Sequence, residues 1–194
     1  MSTGVAVFAY DRPIHLKRVL RGLEANDVEH PYVFADGPPD DPRVAVVRDV
    51  IDAIDWCETT VVARGENLGL ARSIVRGVER VCEDHDRIIV LEDDCVPSPH
   101  FVEFMNECFD AYEDDSQVMN VTGFGPPIDV PDGYSSDVYF THRSCSWGWG
   151  TWESAWERFE HEPMTLAEFR EREDELKATT RKAGYDISTM MRRQ

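Results

Sequence analysis

The 194-residue sequence contains no closely spaced pair of cysteines. The cysteines are five, an odd number, and are scattered along the chain at Cys57, Cys82, Cys95, Cys108 and Cys145. A disulfide framework and a structural zinc site both depend on regular cysteine spacing, which in zinc sites includes C-x-x-C pairs. The sequence therefore predicts neither kind of site.

The sequence also lacks any apolar run long enough to cross a membrane, which takes about 18 residues. It begins MSTGVAVFAYDR, without the positively charged start and long apolar stretch of a secretion signal. The simplest interpretation is a soluble, cytoplasmic protein without a transmembrane segment. Peripheral association with a membrane stays open.

Positive charge is scarce in this chain. It has 20 Lys and Arg residues against 38 Asp and Glu residues, which gives a formal net charge of −18. Nucleic acid is not an expected partner, because surplus cations are needed to neutralise its phosphates. The same deficit argues against an anionic membrane surface as the main partner. Most of the acids are expected to form a solvated surface suited to high salt, but acids at strand ends need a separate explanation.

Strand and helix patterns alternate through the first half of the chain. Short apolar runs, typical of strands that are covered on both faces, begin at Val5, Pro31, Thr59 and Arg87. Each run is followed by a segment with helical spacing, the fourth with Ser98 as its predicted N-cap and Pro99 at its first position. Four βα units in succession predict an α/β fold with a mostly parallel central sheet and helices on both sides. Ligands of such sheets bind beyond the carboxyl ends of the strands.

The pattern changes after Gln117. One more strand is predicted in VMNVTGFGPP, and the segment Asp137–Trp152 first alternates and then becomes rich in tryptophan and glycine. A short amphipathic helix and a strongly charged surface helix over Thr165–Gly184 are predicted next. The final residues carry no helix-ending signal, so the sequence is expected to stop within a larger domain.

Three consecutive acids, Glu92, Asp93 and Asp94, follow the apolar strand that begins at Arg87. Two unit charges about 4 Å apart repel by about 4 kcal/mol at an effective dielectric constant of about 20, so something must offset the charge. Mg²⁺ and Mn²⁺ do so with one or two carboxylates, which leaves positions for water and substrate phosphates. The alternative is that the acids cap the next helix and face water. An aspartyl phosphatase is another chemical option, but it would carry a D-x-D motif after the first strand, where this chain has YDRP.

Five segments in order resemble those of GT-A-fold, nucleotide-sugar-dependent glycosyltransferases: VFAYDRP, FADGP, ENLGLARSI, IIVLEDDCVPSPHFVEFMN and SCSWGWGTW. Their order and spacing, over roughly residues 5–160, are similar to N-acetylglucosaminyltransferase I and its prokaryotic relatives. The resemblance implies a three-layer α/β/α, Rossmann-like GT-A fold in a single domain over residues 1–194. Within it, residues 1–116 would bind the nucleotide sugar and residues 117–194 would begin the acceptor-binding half.

The resemblance also implies a divalent cation, Mn²⁺ or Mg²⁺, at the acidic triplet. Asp94 would coordinate the cation, which bridges to the diphosphate of the donor. Asp93 would contact the ribose or reach the metal through water. Glu92 would lie nearer the donor sugar.

Nucleotide contacts are implied at the end of the first strand and near the second. Ala9, Tyr10 and Arg12 would form part of the nucleotide floor, with Arg12 contacting base or phosphate. Asp36 would accept a hydrogen bond from a uracil-like base. The simpler interpretations are a surface arginine for Arg12 and a turn residue for Asp36, since Asp-Gly favours turns by itself.

Arg72 and Ser73 lie at the start of the third predicted helix and could face the nucleotide, because a helix N-terminus favours phosphate. Further along, Trp147 and Trp149 offer flat apolar walls on which sugar rings stack, and Gly148 allows close approach of the backbone. The resemblance places these three residues under the donor and acceptor sugars. A packed corner of the sheet is the alternative.

An inverting transferase needs a general base, usually a carboxylate, to activate the acceptor hydroxyl. The resemblance points to Asp186, which could instead cap a helix; Glu153, next to the tryptophan cluster, is a second candidate. The predicted function is transfer of a sugar, from a UDP-sugar or another nucleotide-diphosphate sugar, to a glycan or polysaccharide acceptor. The alternatives are a sugar nucleotidyltransferase, which would carry a glycine-rich loop after the first strand, and a non-catalytic binding domain of the same fold.

Overall fold

The structure is a computed structural model that describes residues 1–160 and 164–183. Its strands are β1 (Thr3–Ala9), β2 (Pro31–Ala35), β3 (Thr60–Ala63), β4 (Arg87–Glu92), β5 (Val121–Thr122) and β6 (Trp149–Trp152). Its helices are α1 (Pro13–Glu24), α2 (Pro42–Asp52), α3 (Leu70–Cys82), α4 (Phe101–Tyr112), α5 (Glu153–Trp156), α6 (Leu166–Glu171) and α7 (Glu173–Ala183).

The strands form one sheet in the order β3-β2-β1-β4-β6-β5. The first four strands pair in parallel, whereas β6 runs antiparallel to both β4 and β5. The direction in which strands are added reverses between β1 and β4. In open α/β sheets, the carboxyl ends of the strands at such a reversal form the usual ligand crevice.

Helices cover both faces of this sheet. Val7 of β1 belongs to an apolar cluster with residues of α1, α2 and α4, whereas the adjacent Phe8 belongs to a second cluster with residues of α3. Burying one such side chain stabilises the fold by about 1.5–3 kcal/mol, which explains why the central strands read as continuous apolar runs. The predicted three-layer α/β/α fold with a mostly parallel sheet is confirmed.

The chain divides into two compact units. One consists of Met1–Gly125 and Cys145–Phe159 and contains the sheet with helices α1 to α5. The other consists of Pro126–Ser144 and Glu160–Gln194 and contains α6 and α7. The predicted donor and acceptor halves, 1–116 and 117–194, concern ligand binding and stay a prediction.

The predicted start of α4 is wrong by two residues. The helix begins at Phe101, and the preceding His100 has a left-handed backbone with φ 66° and makes no side-chain cap. Asn26, at the end of α1, supplies the missing interactions: its Nδ2 donates to the carbonyl of Ser98 (3.0 Å) and its Oδ1 accepts from the amide of Val102 (3.1 Å). A residue from a distant part of the chain therefore caps this helix, in place of Ser98.

The charged segment near the end of the chain is also not one helix. It consists of α6 and α7, separated at Arg172, whose φ of −103° and ψ of 8° depart from helical values. Thr165 and Glu168 form a reciprocal capping box at the start of α6. The strand predicted after Gln117 is present, but it has only two residues, Val121–Thr122.

Candidate active site

The acidic triplet lies at the carboxyl end of β4, where β4 neighbours β1. Phe8 is the register partner of Glu92, so the residues that follow the two strands meet at the sheet edge. The backbone amide of Tyr10 donates a hydrogen bond to Asp93 Oδ2 at 3.3 Å. The side chain of Asp93 is 2% exposed, whereas that of Asp94 is 40% exposed. The first of these carboxylates is therefore built into the sheet edge, and the second faces solvent.

Arg12 forms ion pairs with both aspartates. Its Nη2 lies 2.6 Å from Asp93 Oδ1, and its Nη1 donates a hydrogen bond to Asp94 Oδ2. Apart from Arg12, no described residue donates a hydrogen bond to that buried Asp93 oxygen. Asp93 is thus held on one oxygen by the backbone and faces a positive charge with the other.

Burial makes negative charge costly at this edge. It raises the pKa of Asp93, and Arg12 opposes the rise. It also raises the pKa of Glu92, with the neighbouring Asp94 as the next contribution. A cation at this position offsets the cost of keeping the carboxylates ionised.

The donor set fits a hard divalent cation that shares its ligands with a substrate. In the described ranges, 1–160 and 164–183, no group of three or more His, Cys, Asp or Glu side chains is arranged to hold a metal by itself. Mg²⁺-type sites often use only one or two carboxylates, with water and phosphate oxygens completing the coordination. Asp93, whose buried Oδ1 has no partner but Arg12 among the described residues, and the exposed Asp94 meet that requirement.

The end of β2 is joined to both neighbouring strands. The amide of Asp36 donates to the carbonyl of Ala9 at 2.8 Å. The buried carboxylate of Asp36 accepts from the amide of Leu68, 3.1 Å from each oxygen. Asp36 therefore holds the loop that leads into α3, which sequence reasoning did not predict. Its carboxylate oxygens retain lone pairs for a further donor.

The ring of Tyr10 packs against Gly37. A Cβ at Gly37 would lie 2.7 Å from this ring, and the glycine has φ +96°. Both the missing side chain and the left-handed backbone are therefore needed for the strand-end turn. The predicted turn after β2 is present, and it seats the Tyr10 ring at the site.

Two arginines that sequence reasoning missed connect the next loops. Arg64, which directly follows β3, donates from Nη1 to the hydroxyl of buried Ser73 at 2.7 Å, and burial lowers the pKa of its guanidinium. Arg48 of α2 donates to the carbonyls of Gly37 (2.9 Å) and Arg64 (2.5 Å). Position at a strand end could have indicated Arg64, whereas Arg48 lies inside a helix and gives no such signal. Arg72, next to Ser73, is exposed.

A cavity of about 500 Å³ opens beside Asp94. Trp147, Gly148 and Phe124 line one part of it. The Trp147 ring is 58% exposed and meets Phe124 edge-on, with centroids 4.7 Å apart and an interplanar angle of 71°. Cys95 also lines the cavity, and burial raises the pKa of its thiol to about 11. The cavity thus combines a carboxylate with aromatic walls, a mixture typical of ligand pockets.

Trp149 does not join Trp147 in this cavity. It packs against the apolar cluster on the α3 face of the sheet, with its ring 6.1 Å from that of Trp156. Trp147 precedes β6, which begins at Trp149, and Gly148 between them has φ +70°, so the extended backbone that would keep the two side chains on one face is interrupted. Gly150 allows close strand approach, as a Cβ there would lie 2.5 Å from the carbonyl of Ile88. For Trp149 the interpretation as a packed part of the sheet is the better one.

Glu153 lies at the opposite edge of the sheet from the acids. β6 is antiparallel to β4, so Trp152 pairs with Arg87, the first residue of β4. The amide of Glu153 donates to the carbonyl of Asp86 at 2.9 Å. The length of β4, about 20 Å at 3.3 Å per residue, separates Glu153 from Asp94. We therefore do not retain Glu153 as a candidate base.

A model of glycosyl transferase family 2 matches residues 5–181. The match covers most of the chain, including the acidic triplet. The chain belongs to glycosyl transferase family 2. No curated protein sequence matches it.

Solved structures agree with the family assignment in their fold. The mannosyltransferase PcManGT from Pyrobaculum calidifontis, in complex with GDP-Man and Mn²⁺, has a TM-score of 0.61 at 16% identity, covering 82% of this chain and 48% of that chain. The structure of S. aureus TarS 1-349 has a TM-score of 0.57 at 11% identity, covering 87% of this chain and 53% of that chain. This chain thus spans about half the length of these two proteins. The predicted GT-A, Rossmann-like fold is confirmed.

The fold is also shared by a protein with a different name. The 4-diphosphocytidyl-2C-methyl-D-erythritol synthase from Anaerococcus prevotii DSM 20548 has a TM-score of 0.50 at 8% identity, covering 90% of this chain and 84% of that chain. The fold alone therefore does not identify the enzyme class, whereas the family 2 match supports a glycosyltransferase. The finer likeness to N-acetylglucosaminyltransferase I stays a prediction.

The strand ends of this family 2 chain bring most of the predicted site residues to one edge of the sheet. The group comprises Ala9, Tyr10, Arg12, Asp36, Ser73, Glu92, Asp93 and Asp94. Trp147 and Gly148 line the adjoining cavity. Asp186 lies outside the described residues. No described helix is both long and apolar enough to span a membrane.

Proposed function

We propose that the protein is a metal-dependent glycosyltransferase that moves a sugar from a nucleotide-diphosphate sugar to a hydroxyl group of a glycan or polysaccharide, with inversion at the sugar carbon. The observation that carries the proposal is the pair of aspartates at the β1–β4 reversal, one buried and fixed and the other exposed beside a cavity. Family 2 membership supports the reaction class.

Asp94 and Asp93 would hold the cation, Mn²⁺ or Mg²⁺. Asp93 supplies a fixed oxygen, because the Tyr10 amide orients its carboxylate, and Asp94 supplies an exposed one that reaches the ligand. When bound, the cation stabilises negative charge on the departing nucleoside diphosphate. The structure of the Pyrobaculum mannosyltransferase with GDP-Man and Mn²⁺ supports this requirement.

The nucleotide would lie across the ends of β1 and β2. Ala9, Tyr10 and Asp36 would form its floor, with Asp36 accepting from an N–H of the base while it holds Leu68. Such an arrangement suits uracil, and a UDP-sugar is the donor that we propose. Ser73, whose hydroxyl is oriented by Arg64, and the exposed Arg72 would complete the nucleotide side from the N-terminus of α3.

The donor sugar would occupy the cavity beside Asp94. Trp147 and Phe124 present flat apolar surfaces to the aliphatic C–H face of a pyranose, and Gly148, with φ +70°, lets the ring approach the backbone. Glu92, at the end of β4 and adjacent to Asp93, would lie nearer the donor sugar. These residues would orient the anomeric carbon toward the acceptor and exclude part of the water from it.

Inversion requires a base on the acceptor side of the sugar. Asp186 is our candidate for the carboxylate that takes the proton of the acceptor hydroxyl. A neutral acceptor oxygen is a weak nucleophile, so the loss of this group is expected to lower the rate of transfer by about 10²- to 10⁴-fold.

Product formation tests the proposal. The full chain would be incubated with Mn²⁺, a panel of UDP- and GDP-sugars and mixed oligosaccharides, and new glycosides would be sought by mass. The wild type is expected to form a product with one donor class, and Asp94→Ala to reduce turnover at least about 100-fold, because Asp94 supplies a metal ligand. Equal product from Asp94→Ala would contradict the metal assignment. Binding of a donor without turnover would indicate a non-catalytic domain.

A further inference from the structure

We infer that Arg12 competes with a divalent metal for the cation position between Asp93 and Asp94, so that the metal binds only when the guanidinium leaves Asp94. The inference rests on the proposed function, in which Asp93 and Asp94 hold the metal. It adds a role for Arg12 that precedes any contact with the nucleotide: the side chain sets how tightly the site binds metal.

The geometry of the two ion pairs supports this role. One guanidinium nitrogen lies 2.6 Å from Asp93 Oδ1, and the other donates to Asp94 Oδ2. A metal shared by these two carboxylates would need the same region of space. A guanidinium and a metal ion therefore compete for one position between the two acids.

Arg12 is able to move aside, whereas Asp93 is not. Asp93 is buried and its Oδ2 is held by the Tyr10 amide, so its position is set by the sheet edge. The backbone of Arg12 is fixed, since its carbonyl accepts from the amide of Leu16 at 3.0 Å at the start of α1 and Pro13 follows it. Its side chain is 43% exposed, which leaves it a path into solvent.

Departure of the guanidinium without replacement is unfavourable. Asp93 Oδ1 would lose its one nearby positive charge among the described residues, none of which donates to it in place of Arg12. A buried carboxylate left unpaired is strongly destabilising, so a second cation has to arrive as the first one leaves. Metal binding and release of the Arg12 guanidinium are therefore coupled, because the metal replaces the guanidinium at the two acids.

The released guanidinium remains tethered at the mouth of the site. A nucleoside diphosphate held by the metal gives it a new anionic partner, because arginine pairs well with phosphate oxygens. The diphosphate therefore stabilises the released state, which also favours the metal. Metal and nucleotide are expected to strengthen each other's binding, and the coupling is reciprocal by linkage.

Mn²⁺ binding without nucleotide tests the exchange directly. The electron spin resonance signal of free Mn²⁺ would be followed as the metal is titrated into the full-length wild type, Arg12→Gln and Arg12→Lys. Arg12→Gln is expected to bind Mn²⁺ about fivefold tighter or more than the wild type, because the competing ion pairs are gone. Arg12→Lys is expected to lie between them, since a single ammonium does not span both carboxylates as a guanidinium fork does.

The matched control is Arg18→Gln, which removes an exposed arginine from the same helix that forms no ion pair within the described part of the chain. It should bind Mn²⁺ as the wild type does. Addition of UDP should then tighten Mn²⁺ binding more in the wild type than in Arg12→Gln, because only the wild type has a released guanidinium that can pair with the diphosphate. Thermal melting of each variant shows that it is folded.

The outcomes separate this inference from the proposed function. If Asp94→Asn abolishes Mn²⁺ binding but Arg12→Gln binds no tighter than the wild type, the exchange is wrong and the metal site stands. If Mn²⁺ binds equally to Asp94→Asn, or to none of the proteins including Arg12→Gln, both the metal site and the exchange are wrong.

Discussion

At the scale of single residues, the site depends on carboxylates that hold the backbone and can also bind a ligand. Asp36 and Asp93 each accept a backbone N–H from a distant segment and keep capacity for a ligand. Arg12 contacts Asp93 and Asp94, which lie 81 and 82 residues further along the sequence. The sequence predicts that these strand ends converge, because parallel strands end at one edge. It does not reveal which long-range pairs form, and so Arg64, Arg48 and the loop-holding role of Asp36 went unpredicted.

The thiol of Cys95 gives a prediction at this scale. Burial raises its pKa to about 11, and thiolate is the reactive form, so little of it is ionised near neutral pH. Alkylation of Cys95 by iodoacetamide is expected to be slow at pH 7.5 and to accelerate about tenfold per pH unit as the pH approaches the pKa. The rate would be measured by mass spectrometry of the Cys95 peptide. The unfolded protein in urea is the control and should label faster; equally fast labelling of the folded protein at pH 7.5 would contradict the raised pKa.

At the scale of helices and strands, local pattern was sufficient where burial decides the outcome. The four parallel strands are covered on both faces, so their apolar runs identified them, and α1 to α3 followed from apolar spacing. Local pattern failed where a distant partner decides. Asn26 caps α4 from the end of α1, and the antiparallel direction of β6 carries Glu153 away from the acids. Neither partner can be identified from the segment itself.

Close packing of β6 on β4 gives a prediction for stability. A Cβ at Gly150 would lie 2.5 Å from the carbonyl of Ile88 and 2.6 Å from the ring of Phe109. Gly150→Ala is therefore expected to lower the free energy of unfolding by about 1–3 kcal/mol, since backbone atoms cannot move aside as a side chain can. Urea denaturation would measure the change. Gly65→Ala is the control, because a Cβ there meets nothing within 4 Å, and its stability should be unchanged or slightly higher. Equal stability of the two variants would contradict the tight strand contact.

At the scale of the whole molecule, a net charge of −18 has to coexist with a proposed anionic substrate. The structure suggests how they are reconciled, since the guanidinium of Arg12 bridges the two aspartates at the strand reversal. A divalent cation in that place would carry more charge and could also bind the diphosphate. A net charge that argues against nucleic acid as a partner is therefore compatible with a nucleotide that binds together with a metal.

The most direct test of the account is calorimetric titration of UDP into the full-length protein, with Mn²⁺ and again with excess chelator. We predict that the chelator weakens binding to the wild type at least about tenfold, or 1.4 kcal/mol, and that Asp94→Asn weakens it similarly with Mn²⁺ present. Asp49→Asn, which removes one exposed acid from α2, controls for net charge and should bind as the wild type does. UDP binding that is independent of both Mn²⁺ and Asp94 would contradict the proposed metal site.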